Sequence, residues 1–397
     1  MDKQIVKEIR KRKQLLEEKL SIYATKSNEA IYLNEVKKDE YETRLEFNKD
    51  THKILYSLSY SRYTGKTQVY SNLANDMITV RSTHVQFVSH IARNIARMLN
   101  LNEDLCEAIA LGHDLGHTPF GHTGEKILDK ISKEKIGKSF NHNIHSVRTL
   151  TTIENKGKGL NISLQVLDGI MCHNGELLLD EYRPNLNKTK DKFLKEYNDS
   201  YVDSSVIKKM IPMTLEGCIV RVSDIIAYLG KDIEDAIRLN RFSIDNLSLE
   251  IKESLGTTNS EIISNITADI ISNSYNKGYI KMSNKMFNLV KKTLDSNYEN
   301  IYKKANTKED LIKYEKMFYN LYEMYIIILE NNRVKNEIYI DFLNDKCDKY
   351  LNEISNHQKV IDYLAGMTDR YFMDKYEKYE VIFKEKEFNN KIDNIVK

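Results

Sequence analysis

Apolar residues recur along this chain at spacings of three and four far more often than in alternation, and that rhythm predicts helices. Val85, Val88, Ile91, Ala92, Ile95 and Leu99 fall on one helical face, with Ser82 or Thr83 near its start. Leu105, Ala108, Ile109 and Leu111 continue the rhythm on a second helix, which Asn102 can cap. A third helix is expected after Pro212, capped by Thr214 and carrying Ile219, Val222, Ile226 and Ile233. Only three prolines and 15 glycines interrupt the chain, so long helices can run. The polar stretch near 185–210 (RPNLNKTKDKFLKEYNDS) reads as a loop or insertion. The expected fold is all-α. It divides into an N-terminal helical arm over 1–40, a helical core over 41–245 that holds the unusual residues, and a helical C-terminal extension over 246–397.

Composition narrows the class without naming a function. Hydrophobic residues make up 41% and charged residues 30%, as in a soluble globular protein. Lys and Arg (60) nearly balance Asp and Glu (58), so no global charge advertises nucleic acid or membrane. The N-terminus lacks the apolar core of a signal peptide, and YIIIL at 325–329 falls far short of the roughly 20 residues that span a bilayer. The four cysteines, Cys106, Cys172, Cys218 and Cys347, form no CxxC pair, which suits a reducing compartment. A cytoplasmic location with no membrane partner is the expectation.

Histidine changes the picture. Seven of the ten fall between positions 84 and 145: His84, His90, His113, His117, His122, His142 and His145. A single histidine is most often a satisfied core or surface side chain, but a cluster suggests metal binding or proton transfer. The segment HDLGHTPFGHTGE (113–125) packs three histidines, Asp114 and Glu125 into thirteen residues, and its Gly and Pro break the helical rhythm. Adjacent His113 and Asp114 diverge by about 100° on an ideal helix, so they can share an ion only if it sits between helices. His84 and Asp224 are the candidates for the remaining ligands. Asp224 lies mid-helix between Val222 and Ile226, close to the apolar face, where an uncompensated carboxylate is costly. Two imidazoles and two carboxylates leave positions open, as a catalytic ion requires.

The order of motifs supplies a family. RSTHVQFVSHIARNIA (81–96), EAIALGHDLGHTPFGHTGE (107–125), FNHNIHSVRTL (140–150) and VRVSDIIAYLGKDIEDAI (220–237), with GKTQV (65–69) ahead of them, resemble the HD-domain superfamily of phosphohydrolases. Within it they resemble the bacterial deoxyguanosine triphosphate triphosphohydrolases (dGTPases) and related dNTPases. The resemblance covers about residues 43–240. It implies His84, His113, Asp114 and Asp224 as metal ligands, and His122 with Glu125 as a catalytic His–acid dyad. It further implies that Arg81, His117 and His142 face the phosphates, and that Tyr228 and Asp232 touch the sugar 3′-hydroxyl. Lys66, Gln68 and Arg62 would line the sugar or phosphate pocket. The sequence departs from relatives at Ile225, where a second acid is common, at Lys231, where His is common, and at Ser61, where Arg is common. These departures weaken any transfer of nucleotide preference or allosteric behaviour.

The implied reaction is hydrolysis of a deoxynucleoside triphosphate to deoxynucleoside and inorganic triphosphate, with a divalent cation (Mn, Mg, Co, Fe, Ni or Zn). Homo-oligomers, often hexamers, and modulation by nucleotides or single-stranded DNA are also implied by the family. Two competing readings are another HD-type activity, a 5′-nucleotidase or phosphodiesterase, and a nucleic-acid-binding protein with a regulatory HD pocket. The basic run KEIRKRK (7–13) is the sole sequence support for the last, and such a run is more often a solvated helix face.

Overall fold

The helical rhythm is realised throughout the computed structural model, which describes residues 2–37, 39–70, 77–174 and 177–384. Helix α1 spans Lys3–Glu17 and is mostly exposed, with Val6 buried. α2 covers Glu46–Leu55, α3 Arg81–Met98, α4 Glu103–Gly112, α5 Gly121–Ile136, α6 His142–Arg148 and α7 Leu164–Met171. α8 spans Lys190–Val202, α9 Leu215–Arg238, α10 Asn259–Ser274 and α11 Asn284–Asn300. α12 spans Lys308–Glu330, α13 Asn356–Gly366 and α14 Asp369–Lys384. Strands are confined to one antiparallel ribbon among the described residues, in which β1 (Glu181–Tyr182) pairs with β2 (Ile280–Lys281). No helix among them is long and apolar enough to cross a membrane.

Capping explains several boundaries. The Asn102 side chain accepts from the amides of Asp104 and Leu105, and Thr214 Oγ1 accepts from Gly217 N–H, so both expected caps are formed. The start of α3 differs from expectation. The helix begins at Arg81, after Val80 and without a side-chain cap, rather than at Ser82 or Thr83. A β-bridge between Thr67 and Val80, with Arg81 N–H donating to Lys66 O at 3.0 Å, pins the backbone one residue earlier. The stretch 185–210 also differs. It is not a loop but mostly α8, capped by Thr189 and followed by a 3₁₀ turn over Ser204–Lys209. Only Phe193 and Ser200 of α8 are buried, which is why its polar sequence concealed the helix.

Two apolar cores organise the chain. In the first, α9 is surrounded by α3, α4, α7 and α10, with Val88, Ile95, Leu105, Ile109, Ile219, Val222 and Ile226 buried at their contacts. The second is rich in aromatic residues and lies mainly under α12, α13 and α14, with Phe318, Tyr322, Tyr325, Val360 and Phe372 buried. α5 faces this second core through Phe120, Ile127, Leu128 and Ile131. The helix that follows the histidine-rich turn is therefore packed by the last quarter of the chain.

Candidate active site

The turn between α4 and α5 carries the histidines, and its course depends on two backbone requirements. Gly116 lies against α6 so closely that a Cβ there would fall 2.3 Å from both His142 O and Ser146 N. Gly116 N–H donates to Ser146 Oγ at 2.8 Å, and Ser146 Oγ lies 2.7 Å from His113 O, so α6 is fastened to the turn. The turn ends at Phe120, whose φ of 60° is left-handed and uncommon for a bulky residue. Phe120 stays there because its ring stacks on Tyr314 at 4.3 Å and its N–H donates to Asp369 Oδ1 at 3.0 Å.

His84 from α3, His113 and Asp114 from the end of α4, and Asp224 from α9 converge, and all four are buried. His84 Nε2 is 2.9 Å from Asp224 Oδ1. His113 Nε2 is 3.4 Å from Asp114 Oδ1 and 3.7 Å from Asp224 Oδ1. His113 Nδ1 lies 2.7 Å from the Ala110 carbonyl, an acceptor only, so Nδ1 holds the proton and Nε2 presents a lone pair. That Nε2 is buried without a hydrogen-bond partner in the protein. An orphaned imidazole nitrogen aimed at two carboxylates fits a divalent cation. Burial alone would raise the Asp114 carboxyl, but the positive charge around it, the Arg81 guanidinium included, holds it well below the usual carboxylate range.

Beside these four residues lies a second group, His117, His122, Glu125 and His142. His122 Nδ1 is 3.0 Å from Glu125 Oε2, while the other carboxylate oxygen accepts from His142 N–H at 2.7 Å and lies 2.8 Å from His142 Nδ1. Burial would raise Glu125, but His142 and the bond from His122 keep it well below its ordinary value, so it stays a carboxylate. His122 is half exposed, whereas His117 is buried and stacked on His142 at 3.9 Å. Burial and the nearby Arg81 push His117 well down, leaving it a neutral imidazole.

The other expected residues occupy definite places. Arg81 is buried, and its Nη1 donates to Asp114 Oδ2. Its guanidinium and the Gln68 carbonyl flank Gly121. Tyr228 and Asp232 follow Asp224 on α9 by one and two turns. Asp232 accepts from Tyr302 Oη at 2.7 Å, and burial pushes its carboxyl up to about 7. Lys66 is buried with its ammonium on the carbonyls of His117 and Ala365, and burial lowers it to about 7. Arg62 donates to Gly366 O at 3.3 Å and, with Lys66 and His145, lines a small polar cleft.

Sequence reasoning missed three residues here. His173, at the end of α7, is buried with Nε2 3.0 Å from His142 Nε2 and 3.9 Å from Asp114 Oδ1. As a lone histidine in MCHNGE, outside the cluster at 84–145, it gave little signal. Tyr302 and Asp369 come from the C-terminal region, where no motif marks them; Asp369 also accepts from Thr67 Oγ1 at 2.7 Å.

The chain matches the HD domain over residues 81–229 and the phosphohydrolase-associated domain over residues 280–378. It is 34% identical to a deoxyguanosinetriphosphate triphosphohydrolase-like protein of Caldanaerobacter subterraneus, covering 90% of this chain and 91% of the relative. Similarly described proteins of Desulfatibacillum aliphaticivorans and Clostridium tetani are each 33% identical, over 84% and 85% of this chain and 87% and 86% of their own length.

Proposed function

The chain belongs to the deoxyguanosinetriphosphate triphosphohydrolase-like family of HD-domain phosphohydrolases, and from that premise we propose that it hydrolyses deoxynucleoside triphosphates to deoxynucleoside and inorganic triphosphate. The observation that carries this reading is the convergence of His84, His113, Asp114 and Asp224 beside the His122–Glu125 pair, with Tyr228 and Asp232 further along the helix that carries Asp224.

His84, His113, Asp114 and Asp224 would hold the divalent cation. When bound, the ion supplies Lewis-acid polarisation of the α-phosphate and lowers the pKa of a nearby water. The remaining work falls to the chain's own side chains. Arg81, His117 and His142 offset phosphate charge, with Lys66, Gln68 and Arg62 extending that wall. Tyr228 and Asp232 hold the sugar through its 3′-hydroxyl, and Tyr302 keeps the Asp232 carboxyl oriented. Glu125 accepts from His122 Nδ1–H and so fixes the tautomer and direction of the ring. As water attacks the α-phosphorus, the bond from phosphorus to the 5′ oxygen breaks. His122 delivers a proton to that oxygen, a poor leaving group without one. Glu125, held as a carboxylate, stabilises the imidazolium that precedes this transfer. Assembly into a homo-oligomer and modulation by nucleotide or single-stranded DNA belong to the same proposal.

Product analysis tests it. The four dNTPs and their ribonucleotide counterparts, each assayed with Mn, Mg and Co, should yield nucleoside and triphosphate from the deoxy substrates. Release of dNMP with pyrophosphate, or of dNDP with phosphate, would overturn the assignment even in an active enzyme.

A further inference from the structure

We propose that Asp369, from the C-terminal region, is a positioning residue for His122: its carboxylate fixes the Phe120 backbone from which α5 starts, and so the direction in which the His122 ring meets the leaving oxygen. The inference rests on the reading above, in which His122 delivers the proton to the 5′ oxygen.

Helix α5 begins in an unusual way. Its N-cap is Phe120, whose side chain cannot accept from the first amides of the helix, and whose φ of 60° and ψ of 27° are left-handed. Gly121 follows with a φ of 55°, and His122 comes directly after this double left-handed turn. A bulky residue does not keep that conformation unless its surroundings impose it. Stacking on Tyr314 restrains the Phe120 ring, but only a directed bond fixes the peptide plane. That bond runs from Phe120 N–H to Asp369 Oδ1 at 3.0 Å.

The carboxylate is itself immobilised. Its Oδ2 accepts from Thr67 Oγ1 at 2.7 Å and from Thr67 N–H at 3.3 Å. Thr67 cannot drift, because it is bridged to Val80 while the neighbouring Lys66 O accepts from Arg81 N–H. The loop between α13 and α14 packs so closely on this segment that a Cβ at Gly65 would lie 2.7 Å from Thr368 Cγ2. Lys66 extends the clamp by setting its ammonium on the carbonyls of both Ala365 and His117. Asp369 is thus a strut between the segment that starts α3 with Arg81 and the turn that ends at His122. The two come close at Gly121, where a Cβ would stand 3.4 Å from both Arg81 Nη2 and Gln68 O.

A neutral side chain would serve if the task were to fill space. Asp369 instead buries a charge, and burial opposes that charge by pushing its carboxyl up. Three donors compensate it rather than a salt bridge among the described residues, with the Lys66 ammonium near enough to help. It is also the first residue of α14 and faces the start of α5, so two helix N-termini favour a negative group there. Only a carboxylate accepts on both oxygens from donors on two sides. An amide in its place offers one acceptor and turns its own N–H groups toward the other donors.

A double-mutant cycle on kcat, run with the full chain, tests the role. Asp369→Asn should lower kcat by about 10²-fold, the scale of a roughly 1 Å misplacement in an active site. In a His122→Ala background the same change should cost less than about twofold, because the group it positions is gone. Thr67→Val keeps the volume and removes one anchoring donor. It should show the same pattern at smaller size, and it stands in if Asp369→Asn does not fold. Equal losses in both backgrounds would overturn the proposal and leave Asp369 as a structural contact. Nitrogen NMR of the histidine rings in the resting protein reads the same effect without substrate. His122 should be the single Nδ1–H tautomer in the wild type and a mixture in either variant, and an unchanged tautomer would equally overturn the role. Product analysis of the wild type separates the two readings. Triphosphate release with equal losses refutes the role of Asp369 alone, and a different product with unequal losses refutes the triphosphohydrolase reading alone.

Discussion

Individual side chains in this site are defined by what holds them. His122 is half exposed and takes its direction from Glu125, which is itself anchored by the His142 amide. Removing the ring by His122→Ala should lower kcat by about 10²–10⁴, the usual scale of a lost general acid, while Mn content stays at the wild-type value. Loss of metal together with activity would move His122 into the ligand set. The four proposed ligands, His84, His113, Asp114 and Asp224, were legible as candidates at this scale because each stood in a motif or at a costly apolar position. His173, Tyr302 and Asp369 were not. Each acquires its meaning from a partner at least 30 residues away, and no local pattern encodes such a partner.

At the scale of elements, the histidine-rich turn is set by the helices that touch it. Gly116→Ala would drive a methyl group into the backbone of α6, where no side chain can yield. Overpacking typically costs about 1–3 kcal/mol, and here it would also shift His142 away from Glu125. Thermal denaturation should show the destabilisation, and kcat should fall further than stability alone explains. A second lock lies at the start of α9. Glu216 is buried and accepts from Thr25 N–H at 3.0 Å, Thr25 Oγ1 at 3.1 Å and Asn102 N–H at 3.1 Å, tying the segment after α1 to the cap of α4. Burial pushes its carboxyl up to about 7 from an ordinary 4.5. Below pH 4.5 the group is neutral in folded and unfolded chains alike. Between 4.5 and 7 the unfolded chain releases its proton first, so the folded state loses stability as pH rises through that window. Glu216→Gln keeps the acceptor without the charge. Its melting temperature should therefore gain on the wild type as pH rises from about 4.5 to about 7, and a constant difference across that range would contradict the assignment. Helix caps such as Asn102 and Thr214 could be read from sequence because they act within three residues. The start of α3 could not, since a bridge to Thr67 decides it, and α8 was hidden because it buries so little of itself.

Across the whole molecule, the second core reaches into the site at several points. Asp369 holds Phe120 and Thr67, the Ala365 carbonyl receives Lys66, and Asp362 forms a bidentate pair with Arg148 of α6 at 2.7 and 2.8 Å. Asp362 is fully buried and also accepts from Tyr350 Oη, so breaking the pair strands a charge. Arg148→Ala or Asp362→Ala should each cost about 3–5 kcal/mol. The double variant should cost clearly less than their sum, and strict additivity in chemical denaturation would show that the pair is not coupled. An all-helical chain could be foreseen from apolar spacing, but how its last quarter docks could not. That docking depends on aromatic packing between α5 and α12–α14, at separations near 200 residues.

The placement of α5 also orders events during synthesis. The segments bearing His84, His113 and Asp114 leave the ribosome early, and Asp224 follows while much of the polypeptide is still unmade. Phe120, however, meets Tyr314, Phe318 and Phe372 only when translation has nearly finished. A nascent or truncated product would therefore bring His84, His113, Asp114 and Asp224 together while the packing that places His122 is still missing.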